Sequence, residues 1–176
     1  SANPNYWGEA AIPQNLIFRW SAESAQRLLE LQAGTVDGID NPGPDDFAVI
    51  EGDANLQLAL RSGTNVFYVG MNNTKPPFDN ERVRQAFAMA IDRDRLVANF
   101  YPPGSSVATQ FLPPSIFGYS EGSDWYEYDP EQAAQILTEE GVLPGFSTTI
   151  TYRDVVRGYL PNPGVVAQDI QAQLAD

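Results

Sequence analysis

The amino-acid sequence reads as an α/β protein built in two parts, and three observations point there. Short runs rich in β-branched and aromatic residues recur along the chain, the clearest being Val66-Phe67-Tyr68-Val69. Between them stand stretches with apolar residues at helical spacing, each opened by a capping residue and several closed by glycine. Pro76-Pro77 then breaks the pattern, because a proline pair has no backbone donor for a helix or a ladder.

Taken in order, residues 14–20 alternate, with Leu16, Phe18 and Trp20 on one face of a strand. Ser21 caps a helix over residues 22–33 that turns Leu28, Leu29 and Leu31 inward and ends at Gly34. A short strand is expected at 36–39, a turn at 42–44, one or two helical turns at 45–50 and a strand at 56–61. The strand 65–71 closes the first half, and Asn72 and Asn73 stop it with side chains suited to backbone groups at a crossing. Asp79 caps the next helix, with Val83, Ala86, Phe87, Ala90 and Ile91 on its apolar face. Arg82 and Arg84 lie in its first turns, where pairing with Asp79 or Glu81 is expected. Asp92 opens a further helix through Leu96, Val97 and Phe100.

Residues 101–128 have no periodicity but many aromatics, which reads as an ordered loop rather than a linker. Within it, Trp125, Tyr126 and Tyr128 suit either a cleft wall or lobe packing. Asp129-Pro130 starts a helix, Ala133, Ala134, Ile136 and Leu137 form its stripe, and Gly141 ends it. A strand at 147–153 and a last helix at 163–174, with Val166, Ile170 and Leu174 on one face, complete the chain.

Composition narrows the chemistry. The 176 residues are 43% hydrophobic, with 9 Phe, 8 Tyr and 3 Trp, enough for a packed core. There is no cysteine and no histidine, which removes disulfides, thiol catalysis and histidine-based acid–base schemes. A net charge of −13 argues against nucleic acid or an anionic membrane as partner. Asp37, Asp40, Asp45 and Asp46 suit only hard cations and lack EF-hand spacing, so no metal and no cofactor is expected. No apolar run is long enough to cross a bilayer, and Ser1-Ala2 does not begin a secretory signal.

The order of motifs resembles the peptide- and nickel-binding branch of the substrate-binding proteins of ABC transporters, extracellular solute-binding protein family 5. Four pieces carry the likeness: Asn3-Pro-Asn-Tyr-Trp-Gly, the Leu31, Gly34, Asp37 spacing, the Pro-Pro-Phe-Asp crossing before Val83-Arg84, and Tyr126 to Ala133. It covers about residues 3–174 and implies a periplasmic-binding-protein-like, two-lobe α/β architecture, present here in part and with incomplete sheets. On that reading residues 1–72 end the first lobe, 73–78 cross, and 79–176 begin the second. The resemblance further implies an extracytoplasmic receptor, periplasmic or a cell-surface lipoprotein, that passes a peptide or other small ligand to an ABC permease. Sheet edges left uncovered would also favour self-association.

One loop is a candidate site. Arg157 and Tyr159 lie two apart between the last strand and the last helix, so an extended loop would turn both to one side. Guanidinium and phenol together suit a carboxylate, although the pair also fits an ordinary surface loop. In dipeptide-binding members of the family an Arg-x-Tyr at this loop holds the ligand's terminal carboxylate, and Arg157-Gly158-Tyr159 matches that spacing. The rival classes are a carbohydrate-active enzyme using paired carboxylates and a sensor on the same fold.

Overall fold

The computed structural model describes residues 1–121 and 126–175. Among them the chain forms six helices: α1 (Ser24–Gln32), α2 (Asp46–Gly52), α3 (Glu81–Met89), α4 (Arg93–Phe100), α5 (Pro130–Glu139) and α6 (Pro163–Gln173). It divides into two compact units, Ser1–Asp46 and Phe47–Asp176.

In the first unit, α1 buries Leu28, while Leu29 faces solvent and Leu31 is half-buried. Its cap residue is Glu23, not Ser21, and no side chain closes that end. Gly34, at φ +67°, ends α1 as expected. Its N–H donates to Leu31 O and that of Thr35 to Glu30 O, each at 3.0 Å, which answers two of the helix's last carbonyls. The Arg27 guanidinium reaches back to Ser21 O and across to Asn41 O, both at 2.7 Å, and so ties the two flanks of α1 together.

The second unit packs helices in two pairs. Ala86 and Met89 of α3 meet Ala133 of α5, with Ile136 and Leu137 beside them. Asp129 caps α5 by accepting from Gln132 N at 2.9 Å, and its own N–H donates to Met89 O, so the start of α5 is fixed to the end of α3. Leu96 of α4 packs with Val166 and Ile170 of α6, and Phe67, Phe100, Tyr101 and Leu160 surround them. Arg95 bonds Asp169 at 2.6 Å, and Gln173 accepts from Asp92 N at 2.6 Å, closing the same seam with polar contacts. Phe78, Phe87 and Phe146 form an edge-to-face trio that fastens the segment after Pro76-Pro77 to α3.

Two expectations are corrected. The segments 14–20, 36–39, 56–61, 65–71 and 147–153 carry strand signals but form no strand, so only the helical half of the α/β reading is seen here. A strand exists only where a neighbouring segment answers its backbone groups. Among the described residues the one such pairing is an isolated bridge, Arg157 with Leu160. The compact units divide between Asp46 and Phe47. Phe67 packs on the α4–α6 cluster, Tyr68 stacks near Phe111, and Ser115 Oγ donates to Gly63 O at 2.7 Å. The run before Pro76-Pro77 thus travels with the helices after it. The cap of α3, second, is Asn80, which accepts from Arg82 N at 2.9 Å, one residue beyond Asp79.

Candidate functional site

After α5 the chain runs exposed through residues 151–159. It then folds into a tight turn. Arg157 N donates to Leu160 O and Leu160 N to Arg157 O, each at 3.0 Å, with Gly158 and Tyr159 at the tip. Leu160 sinks into the Leu96–Val166–Ile170 cluster, Pro161 is buried, and α6 starts at Pro163. The turn is therefore joined to the α4–α6 cluster through Leu160, although its residue types suggest only a loop.

This geometry changes the argument for the site. In an extended loop, residues two apart share a side; at a two-residue hairpin tip that alternation does not apply. Arg157 sits at the corner and Tyr159 at the second tip position of one turn. Arg157 is exposed, and its hydrogen bond runs to the neighbouring Val156 O at 3.4 Å. Among the described residues no acid pairs with it. Tyr159 is 39% exposed, and Tyr152, Val155 and Val156 beside it also face solvent. The first turn of α6 holds no acid, and its Asn162 cap makes no side-chain bond.

Several other charged groups have structural partners. Arg82, expected to pair with Asp79 or Glu81, instead bridges to α5: to Glu139 at 2.8 Å and Glu140 at 2.9 Å. Asn80 Nδ2 adds a 2.6 Å bond to Glu140. Hydrogen bonds from Gln135 and Arg82 hold the Glu139 carboxyl below the usual range. Arg84 turns to backbone, donating to Phe78 O at 2.9 Å. The adjacent acids Glu139-Glu140 at a helix end without a nearby lysine were the sequence signal for that clamp. Burial pushes the Tyr101 phenol up to about 12, and its hydroxyl is shut off from water with no hydrogen-bond partner. Asn72 Oδ1 accepts from Thr74 N at 3.0 Å, a local turn at the crossing. Tyr126 and Tyr128 face solvent, while Trp125 lies outside the described residues. No group of three potential metal ligands occurs among the described residues, and none of their helices is long and apolar enough to cross a membrane. The first unit has a shallow groove lined by Arg19, Leu29, Glu30 and Thr35, which the Arg19–Glu30 pair at 3.1 Å partly fills.

The sequence pattern of "Bacterial extracellular solute-binding proteins, family 5 Middle" matches residues 1–176, and the chain belongs to that family. The heme-binding protein A of Haemophilus influenzae is 37% identical over 99% of this chain and 32% of its own length. The dipeptide-binding protein of Escherichia coli K12 is 33% identical over 97% of this chain and 32% of its own length. Among solved structures, the periplasmic binding protein DppA from Helicobacter pylori, in complex with the peptide STSA, superposes with a TM-score of 0.79 at 30% identity. That match covers 98% of this chain and 33% of the other. The chain thus spans about a third of the length of these relatives.

Proposed function

We propose that this chain is part of the receptor of an ABC importer, located outside the cytoplasm, that binds a short peptide in a cleft between two lobes. Family membership over the whole chain supports the class, and the dipeptide-binding relative and the peptide-bound structure support the cargo. The observation that carries the reading to a residue is the unpaired Arg157 on a turn closed by two backbone bonds. In this reading Arg157 receives the peptide's terminal carboxylate, and Tyr159 adds a single hydrogen bond. Residues 1–72 end one lobe, 73–78 cross, and 79–176 begin the other; Phe67 on the α4–α6 cluster is then the point where the departing segment meets the second lobe. Lobe closure over the ligand produces the form that docks on the permease. Binding without turnover separates this receptor from an enzyme with paired carboxylates.

The test is calorimetry on the intact receptor with a dipeptide as titrant. Arg157→Ala is expected to lose about 2–4 kcal/mol of affinity, and Tyr159→Phe about 0.5–1.5 kcal/mol. If both substitutions are silent, these are ordinary loop residues. A second reading, haem as cargo, has the Haemophilus influenzae relative in its favour. With no histidine or cysteine in the chain, the usual nitrogen and thiolate ligands of haem iron would have to come from elsewhere. Titration with haemin in place of peptide separates the two cargoes.

A further inference from the structure

The irregular residues 101–121 have an order of their own. They leave α4 at Tyr101, which packs against Leu96, Val166 and Ile170, so the root of this loop belongs to the α4–α6 cluster. Tight turns follow, closed by Ser105 N to Pro102 O at 3.2 Å, Ile116 N to Pro113 O at 3.0 Å and Tyr119 N to Ile116 O at 3.1 Å. Across the loop the Thr109 and Tyr119 hydroxyls share a hydrogen bond at 3.2 Å, and the Gln110 side-chain amide donates to Ser120 O. A loop closed on itself in this way holds its shape without a strand. From it, contacts reach back past Pro76-Pro77 to the run before the crossing. Leu60 Cδ1 lies 3.9 Å from where a Cβ on Gly104 would stand. Ser115 Oγ donates to Gly63 O at 2.7 Å, and the Phe111 ring meets that of Tyr68 with centroids 5.4 Å apart. Phe67, beside Tyr68, packs on the cluster in which the loop is rooted. A rotation about residues 73–78 that carried the earlier run away from the later helices would have to part these groups.

We propose that residues 101–121 are a strap across the interlobe crossing, gripping the run 60–68 through Leu60, Gly63 and Tyr68 and limiting how far the lobes swing apart. The unliganded receptor then exchanges between a strapped and a more separated form, with the strap setting their ratio. The inference rests on the division of the lobes at 73–78 proposed above. It goes beyond that division by naming the segment that governs the motion.

Double electron–electron resonance on the intact receptor, with spin labels at Ala54→Cys and Ala134→Cys, tests it. Both positions are exposed, one before the crossing and one after it. Without peptide, Phe111→Ala should raise the more separated population about two- to tenfold relative to the strapped one, the factor an aromatic pair commands. Ser115→Ala should move it the same way by less. Phe117→Ala, in the same loop and fully exposed, should leave the distances as they are, and an unchanged melting temperature checks the folding of each variant. Distances in Phe111→Ala and Ser115→Ala that match the wild type overturn the strap, as does an equal change in Phe117→Ala. Wild type titrated with Ala-Leu separates the two claims. A distance that shortens with Ala-Leu, beside silent variants, leaves the lobe division standing without the strap; Ala-Leu bound with no change in distance removes both.

Discussion

At the scale of single residues, the structure separates polar groups that have found partners from those that have not. Tyr101 is the plainest of the second kind: its hydroxyl is enclosed beside the α4–α6 cluster and bonds to nothing. An unmade bond of this type costs more than a made one returns. Tyr101→Phe should therefore raise stability, by about 1 kcal/mol, measured by urea unfolding at neutral pH. The pH dependence has a definite sign. Because burial raises the folded-state pKa to about 12 from the model-compound value of 10.0, the folded form keeps a proton that the unfolded form gives up. Stability from this group is whole below pH 10 and is lost as pH rises toward 12. The wild-type curve should fall in that window more steeply than that of Tyr101→Phe, and equal slopes would contradict the assignment.

At the scale of elements, the helices were legible and the strands were not, for a physical reason. A helix satisfies its backbone within itself, so caps and periodicity suffice to place it. Asp92 and Asp129 cap α4 and α5 as their sequence positions imply, and Gly34 and Gly141 adopt positive φ at the expected ends. The Asn80 cap was missed by one residue because Asp79 and Asn80 are chemically equivalent at that position. Strand signals in Val66 to Val69 describe what the side chains prefer, but pairing depends on a neighbour, and among the described residues none pairs with them. Of the candidate site, the residue types and spacing were readable; the hairpin closing Arg157 on Leu160 was not, since it depends on Leu160 seating in the core. That seat is a test of element packing. Ile170 is 2% exposed between α4 and α6, and Ile170→Ala should cost about 2–5 kcal/mol. The same substitution should loosen the turn, read as a rise in Tyr159 mobility by fluorine-labelled tyrosine NMR. A loss under 1 kcal/mol, on the order of a surface change, would show that α6 does not hold the core.

At the scale of the whole molecule, two opposing features meet. Trp7, Ile12, Phe18 and Trp20 are largely exposed in the first unit, as are Phe111 and Phe117 in the second. Together with unpaired backbone, they favour association between copies. The net charge of −13 opposes it. Screening decides between them: at 0.15 M salt the Debye length is about 8 Å, and at 1 M about 3 Å. The 176-residue chain should therefore sediment increasingly as dimers and larger species when salt is raised at fixed protein concentration. A monomer unchanged between those salt concentrations would show that these surfaces are inert.

The unpaired segments have one more consequence, which concerns time rather than shape. A backbone N–H that donates to another segment is withdrawn from solvent for as long as that bond lasts. In residues 14–20 and 147–153 few such bonds exist, whereas α3 to α6 hold theirs inside packed pairs. Deuterium would then enter the strand-forming sequences within moments and the helices slowly, giving one chain two clocks. Whatever surface eventually lies against those sequences would be recognised by the slowing of the faster one.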